Sequence, residues 1–342
     1  MTRDLGGRAG LALMFHALDQ AGDGGGFFDA GRRELTLAIE DPSHGVGMFD
    51  GYAGLRAALA LIARREREYA PLVDACDVRV ERRLPIDAQE PGGPEVFDLT
   101  HGWAGIRLSR GVLGTYGADR LSERLLGVLE GQRWLQTYGM AHGLAGVIAS
   151  LALTVGQLSE VTRVSISSGA AALAASFVER DGIRLWPPVR GQAQLSAHRS
   201  AWCCGTPGVA AALAWAGQRL DDRELTGFAV DALLRLGRRP SSTAHLFGTG
   251  ICHGLMGSAL VYATVARATG VEELAAIAKR QTYEVLSELE FTHYECYARN
   301  TQREIVSSAG LLDGSSGVAL GLLTLAGDFD GAWLRCLGLA AL

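Results

Sequence analysis

The sequence predicts an all-α protein folded as an α/α toroid, with seven inner helices ringed by seven outer helices. Two observations support this fold. A Gly-x-x-Gly unit followed by about a dozen apolar residues recurs along the chain, and amphipathic segments separate the copies. The copies begin at Gly7, Gly51, Gly102, Gly143, Gly205, Gly254 and Gly314, about 51 residues apart on average.

Each apolar stretch is rich in Ala and Leu and poor in charge, which favours a buried helix over a strand. The segments 225–239 and 272–289 are amphipathic and predict outer helices with one solvent-exposed face. The glycines allow a sharp turn into each inner helix and close approach of neighbours. We therefore expect a single domain over 1–342, and an open solenoid is the competing architecture.

Composition excludes several classes of protein. The 342 residues carry a net charge of −5, which does not favour a nucleic-acid partner. The longest weakly polar run, 143–156, is too short to span a bilayer, so no transmembrane segment is predicted. Six cysteines in so long a chain do not indicate a disulfide framework, and with no signal peptide they predict a cytoplasmic protein.

Polar residues concentrate just before the first glycine of the copies, at the predicted mouths of the inner helices. Immediately before that glycine stand Gly6, Asp50, His101, His142, Cys204, His253 and Asp313. Two residues before it stand Leu5, Phe49, Thr100, Ala141, Cys203, Cys252 and Leu312. Equivalent positions of a closed repeat lie at one end of the ring, so we expect these side chains to share one surface.

Two cysteines in this alignment predict a metal site. Cys203 and Cys252 occupy the same position in adjacent copies, and His253 follows Cys252. Thiolate and imidazole ligands together are typical of tetrahedral zinc. The alternative is that these cysteines are small apolar packing residues. A redox Cys203–Cys204 pair is less favoured, because redox motifs separate their thiols by two residues.

The other polar residues are open to two interpretations. His101 and His142 are either helix caps and packing residues or functional groups. Asp50 and Asp313 are predicted to be N-caps of the helices that follow them. Asp98 lies four residues before Gly102, outside the cap position, and is expected to contact a neighbour. Three tryptophans are interpreted as packing residues: Trp134, Trp186 and Trp333.

Three motifs resemble those of the LanC family of lanthipeptide cyclases. "RSAWCCGTPG" (199–208) is similar to the family's Trp-Cys-Tyr-Gly-x-Pro-Gly motif, "ICHGLMG" (251–257) to Cys-His-Gly, and "GMAHGLAG" (139–146) to Ala-His-Gly-x-x-Gly. The resemblance covers nearly the whole chain, and the family is a seven-repeat toroid. One departure is Cys204, which stands where the family usually has Tyr.

The resemblance implies a site and a reaction. It implies three zinc ligands: Cys203, Cys252 and His253, with water or a substrate thiolate as the fourth. It implies four further site residues: the active-site Arg199, Trp202, the catalytic His142 and its associated Asp98. The family adds a peptide cysteine thiol across dehydroalanine or dehydrobutyrine and so closes thioether rings.

The resemblance also implies partners. The substrate would be a precursor peptide that carries a leader and has been dehydrated by a separate dehydratase. A complex with that dehydratase and an export transporter would place the cyclase at the inner face of the membrane. No kinase-like or large dehydratase region precedes the repeats, so we expect a stand-alone cyclase.

Two rival functions remain open from the sequence. A non-catalytic zinc toroid that binds glutathione or a peptide as an adaptor would not need His142 and Asp98. An α/α-barrel glycosidase would use two of Asp50, Asp98 and Asp313, and it would leave the cysteines and histidines unexplained.

Overall fold

The helices predicted from the repeat begin at the residue after the first glycine of each copy. The structure is a computed structural model, and it describes residues 5–22, 26–41, 45–84, 94–113, 120–131, 137–153, 156–189, 200–289, 296–299 and 305–342. Within these residues the inner helices are α1 (Arg8–Ala21), α3 (Tyr52–Ile62), α5 (Trp103–Arg110), α7 (Leu144–Ala152), α9 (Thr206–Leu220), α11 (Leu255–Thr269) and α13 (Ser315–Ala326).

The outer helices alternate with the inner ones along the chain. They are α2 (Phe27–Ile39), α4 (Ala70–Arg83), α6 (Arg120–Glu130), α8 (Glu160–Ala174), α10 (Arg223–Gly237) and α12 (Glu272–Glu288). Each outer helix packs against the inner helix before it. Every residue of α7 is buried, whereas α4 buries only Cys76 and Val80. The apolar and amphipathic segments therefore separate into an inner and an outer layer, as predicted.

The ring is closed. Each inner helix packs against the next one, and α13 packs against α1. The backbone N–H of Leu311, before α13, donates to the carbonyl of Gly6, before α1, at 3.3 Å. This closure decides between the two architectures that the sequence left open, in favour of the toroid over the solenoid.

The second glycine of each copy is required by close packing of the backbone. A Cβ on Gly257 would collide with the carbonyl oxygen of Ile251 in the preceding loop, and the same contact recurs at the second glycine of the other six copies. A Cβ on Gly317, one copy further on, would also lie 2.8 Å from Cδ1 of Ile251. Each loop therefore folds back onto its own helix and packs against the next unit.

The seventh unit differs from the other six. After α13 the chain forms a 3-10 helix, Gly331–Leu337, instead of a described outer α-helix. This segment packs against the inner helices α3 and α5. We call residues 331–342 the C-terminal strap. The all-α toroid is confirmed, but the last predicted outer helix is replaced among the described residues by an element that lies against inner helices.

Two short antiparallel hairpins complete the described chain. They are formed by β1 (Val178–Arg180) with β2 (Ile183–Leu185) and by β3 (Cys296–Arg299) with β4 (Ile305–Ser308). Three further 3-10 turns cover Arg67–Tyr69, Pro94–Val96 and Ser241–Thr243. Within the described ranges, none of the helices combines the length and the apolar character needed to cross a bilayer.

Candidate metal centre and its surroundings

Backbone hydrogen bonds join the loops before the inner helices and so align the predicted site residues. The N–H of Ala141 donates to the carbonyl of Cys203 at 3.0 Å, and the N–H of Cys203 donates to Cys252 at 3.3 Å. The N–H of Cys252 continues the series to Leu312 at 2.8 Å. Residues at equivalent repeat positions are therefore neighbours in space, as the alignment of the copies predicts.

The predicted metal ligands come together. Ligand atoms of Cys203, Cys252 and His253 all lie within 4.8 Å of one another, and Cys252 Sγ lies 3.8 Å from His253 Nε2. Ligand atoms of a tetrahedral zinc are about 3.3–3.8 Å apart, given the bond lengths of zinc to sulfur and nitrogen. The three side chains therefore fit a zinc ion with small movements. Within the described residues this is the cluster that could hold a metal ion.

Protons compete with a metal cation for the ligands of this cluster. Burial lowers the pKa of His253, but hydrogen bonds to Asp313 and Cys203 outweigh it and raise this pKa to about 10. The hydrogen bond to Cys204 lowers the pKa of Cys203, whereas its hydrogen bond to Cys252 and its burial raise it, with a raised pKa as the net result. Metal binding at this site must therefore release protons.

Asp313 orients the imidazole of the cluster. Its Oδ1 lies 3.5 Å from Nδ1 of His253, so Nε2 is the ring nitrogen directed towards Cys252. A carboxylate on the second nitrogen of a histidine ligand fixes the ring and raises its basicity. Asp313 therefore supports the imidazole of the candidate metal centre through its second ring nitrogen.

His142 and Asp98 form a second polar pair at the mouths of the helices. His142 Nδ1 lies 2.7 Å from Asp98 Oδ2. Asp98 is 1% exposed, and its Oδ1 accepts hydrogen bonds from the backbone N–H groups of His101 at 2.7 Å and Gly102 at 3.1 Å. The side chain of His142 is 59% exposed. The pair thus joins a fixed, buried carboxylate to an imidazole that faces solvent.

The prediction that Asp50 and Asp313 are helix N-caps is wrong. The N-cap residues of α3 and α13 are Gly51 and Gly314, and neither helix receives a side-chain cap. Asp50 instead pairs with His101 of the next unit, at 3.0 Å. The extended backbone at the glycines directs the preceding side chain away from its own helix and across to the adjacent unit.

His101 belongs to the same group of side chains, which the sequence left undecided. Its ring stacks on that of His142, with ring centroids 5.7 Å apart. The hydrogen bond that the His101 ring donates to Asp50 raises the pKa of His101, and burial only partly opposes this. One indication of this contact was present in the sequence, since His101 and His142 occupy the same position in adjacent copies of the repeat.

Cys204 is close to the metal cluster but not part of the three-ligand group. The Cys203 and Cys204 side chains share a hydrogen bond, with 3.6 Å between the sulfurs. Cys203 is buried and Cys204 half-buried. The grouping of Cys203 with Cys252 and His253 agrees with the choice made from the repeat alignment.

Trp202, the residue before Cys203, packs in the interior of the protein. The residue is fully buried, and its indole N–H donates to the carbonyl of Leu337 in the C-terminal strap, at 2.8 Å. Its ring meets Phe49 edge-on, with centroids 6.4 Å apart. In this arrangement the buried indole supports the loop that carries Cys203. Arg199 lies outside the described residues.

The tryptophans interpreted as packing residues are buried where they are described. Trp186 donates to the Leu173 carbonyl and Trp333 to the Thr324 hydroxyl, and Trp134 lies outside the described residues. The sequence analysis did not single out Trp215, whose indole N–H donates to the carbonyl of Gly338 at 3.2 Å. Its partner is distant in the chain, so no local pattern indicates the contact.

Comparison with known proteins agrees with the motifs. A family model described as "Lanthionine synthetase C-like protein" matches residues 5–337. The chain is also similar to the solved structure of nisin cyclase, with a TM-score of 0.80 over 98% of this chain and 91% of that chain. The two sequences are 19% identical, so this likeness supports the fold.

Proposed function

Because the chain belongs to the lanthionine synthetase C-like family, we propose that it is a zinc-dependent cyclase that forms lanthionine or methyllanthionine rings. In this proposal a cysteine thiol of a dehydrated precursor peptide adds to dehydroalanine or dehydrobutyrine. One observation carries the proposal: a thiol–thiol–imidazole cluster and a His–Asp pair lie on hydrogen-bonded loops at the mouths of the inner helices.

The ligand set suits the activation of a thiol. Cys203, Cys252 and His253 would hold the zinc, and three protein ligands leave a fourth position for a substrate. Bound zinc would supply a positive charge that favours the thiolate form of an incoming peptide cysteine, whose pKa is otherwise near 8.5.

The proposed reaction is an addition with no net oxidation or reduction. The thiol loses its proton, and its sulfur bonds to the β-carbon of the alkene. The electron pair of the double bond moves to the adjacent carbonyl as an enolate, and a proton is then delivered to the α-carbon. The chain therefore needs a proton carrier beside the thiol site and a donor that stabilises the enolate.

His142 fits the role of proton carrier. With Asp98 accepting from Nδ1, the exposed Nε2 is free to take a proton and return it. The buried Asp98 is held by two backbone N–H groups, so it fixes the ring orientation without moving itself. We propose that His142 delivers the proton to the α-carbon. His142 can obtain this proton by first deprotonating the thiol.

Arg199 completes the proposal as the group that stabilises the enolate. A guanidinium remains charged at any working pH and donates hydrogen bonds to oxygen. Its position in "RSAWCCGTPG", four residues before Cys203, is the basis for this role.

The proposed partners follow from the substrate. Dehydroalanine and dehydrobutyrine require a dehydratase that acts first, and the precursor carries a leader. We propose a cytoplasmic cyclase that works beside this dehydratase and an export transporter, at the inner face of the membrane.

The rival functions are less well supported by the geometry. A glycosidase needs two available carboxyl groups, but Asp50, Asp98 and Asp313 each contact a histidine. An adaptor would not need a buried aspartate fixed behind an exposed histidine.

The proposal is tested with a synthetic peptide that contains one dehydroalanine and one cysteine. Ring closure leaves the mass unchanged but removes the free thiol, so N-ethylmaleimide labelling followed by mass spectrometry measures the product. We expect the protein to contain one zinc per chain and to protect the peptide from labelling. His142→Asn should keep zinc and lose most of the protection. A zinc-containing protein whose His142→Asn variant still closes the ring at the normal rate would exclude His142 as the proton carrier, and a protein without zinc would exclude the cyclase.

A further inference from the structure

The C-terminal strap is buried among inner helices of several units. Its large apolar side chains are fully buried: Trp333, Leu334, Leu337 and Leu339. The guanidinium of Arg335 donates to the carbonyl of Leu153, at the end of α7, at 2.9 Å. The strap therefore occupies the interior of the ring instead of covering its outside.

Two tryptophans attach the strap to the loop and helix that carry Cys203. The indole of Trp202, the residue before Cys203, donates to the carbonyl of Leu337 at 2.8 Å. The indole of Trp215, on α9, donates to the carbonyl of Gly338 at 3.2 Å. Both N–H groups are buried, so each bond would be costly to leave unmade.

The same point of the strap touches the two loops that carry the His–Asp pair. Gly338 has φ +66°, and a Cβ placed on it would lie 2.8 Å from Met140 Sδ and 3.0 Å from Leu99 Cδ1. Leu99 follows Asp98 in the chain, and Met140 precedes His142 by two residues. Gly338 therefore packs against Leu99 and Met140, which lie in the loops of Asp98 and His142. It is also next to the hydrogen bonds that hold the Cys203 loop.

We propose that the C-terminal strap is a positioning element that holds the Asp98, His142 and Cys203 loops in register from the interior of the ring. Its effect on turnover rests on the proposed function, whereas its effect on the loops does not. The strap is not a catalytic group, because it touches the loops through the buried residues Leu99, Met140 and Trp202.

The test compares two glycines with the same left-handed backbone. Gly338→Ala strains the strap and adds a methyl group against Met140 and Leu99. Gly327→Ala is the matched control, because Gly327 has φ +86° at the end of α13 and nothing within 4 Å of an added Cβ. Both variants carry the backbone strain of alanine in this conformation, but only the first disturbs the site loops.

Hydrogen exchange of the backbone amides measures the effect without metal or substrate. We expect Gly338→Ala to speed exchange about tenfold or more in residues 137–143 and 200–205, and Gly327→Ala to leave these loops unchanged. Turnover of the dehydroalanine peptide should fall about 10–100-fold in kcat with little change in KM, since small misplacements of reacting groups are this costly. The absorption bands of a cobalt-substituted site should also shift in Gly338→Ala only.

A milder pair of variants serves if Gly338→Ala does not fold. Trp215→Phe removes one hydrogen bond to the strap and keeps an aromatic side chain. Its control is Trp186→Phe, which removes a comparable buried hydrogen bond, to the Leu173 carbonyl at 2.7 Å, that does not involve the strap. Faster loop exchange in Trp215→Phe alone would support the proposal. Equal exchange in the strap variants and their controls would overturn it. If exchange in the site loops is faster in the strap variants but the unmodified protein does not close the thioether ring, the proposed function is wrong and the positioning role of the strap is still supported.

Discussion

Replacing Asp98 by asparagine tests the proposed proton carrier with little disturbance of the fold. Asp98 accepts two backbone hydrogen bonds at Oδ1 and the His142 ring at Oδ2. In Asp98→Asn the amide oxygen can still accept both backbone bonds. The amide nitrogen then faces Nδ1 of His142, which must become an acceptor, so the ring proton moves to Nε2. The nitrogen that faces solvent can then no longer take a proton.

The structure sets the expected size of both effects. The retained backbone bonds limit the loss of folding stability to about 1.5–3 kcal/mol, the range for hydrogen bonds to a charged group. General acid–base groups contribute about 10²–10⁴-fold in rate. We therefore expect kcat to fall by that factor, which corresponds to about 3–5 kcal/mol in the barrier. Asp98→Asn should keep its full zinc content, because Asp98 is outside the ligand cluster.

The assay is the time course of maleimide protection of the dehydroalanine peptide, with thermal unfolding and zinc analysis alongside. Asp50→Asn is the matched control, since Asp50 pairs with the neighbouring His101 at 3.0 Å and is outside the ligand cluster found among the described residues. We expect it to stay within about threefold of the unmodified protein. If Asp98→Asn closes rings at the normal rate, or if Asp50→Asn lowers kcat as much as Asp98→Asn does, the tautomer argument is wrong.

Three further predictions concern the metal and the repeat. Cys252→Ala should lose most of its zinc by metal analysis, because it removes one of the three clustered ligands; a full equivalent of zinc in this variant would contradict the ligand set. Cys204→Tyr should keep zinc and activity while Cys203→Ala loses both, and the opposite pattern would assign the metal to Cys204. Gly257→Ala should lower the free energy of unfolding by about 1–3 kcal/mol or more, because its methyl group meets a backbone carbonyl. Gly227→Ala, in α10 with nothing within 4 Å, should raise it by up to about 1 kcal/mol, and denaturant unfolding compares the two.

The architecture was predictable because its signals are local and repeated. The first glycine of each copy is the residue before an inner helix, so the helix starts follow directly from the sequence. The proximity of Cys203 and Cys252 was predictable too, because equivalent positions of a ring lie side by side. The roles of His142 and Asp98 stay predictions, although the structure brings the two side chains together.

The parts that were not predictable depend on contacts between distant residues. The pairing of Asp50 with His101 depends on how the ring sets adjacent loops against one another, and local capping preferences gave the wrong partner. The repeat alone predicts a seventh outer helix, and the sequence after α13 carries no sign of the hydrogen bonds that the strap accepts from the indoles of Trp202 and Trp215. Local propensity is a weak guide where tertiary contacts decide the conformation.

The contact between α13 and α1 also changes what it takes to open the molecule. In a linear array of repeats the first and last units have one neighbour each and can fray independently. In this chain Gly6 and Leu311 meet, so every unit has a neighbour on both sides. Detaching any single unit must break two interfaces at once, which penalises partly open states. The contact between the first and last units therefore makes unfolding more cooperative, and it protects the loops of the candidate site from local opening.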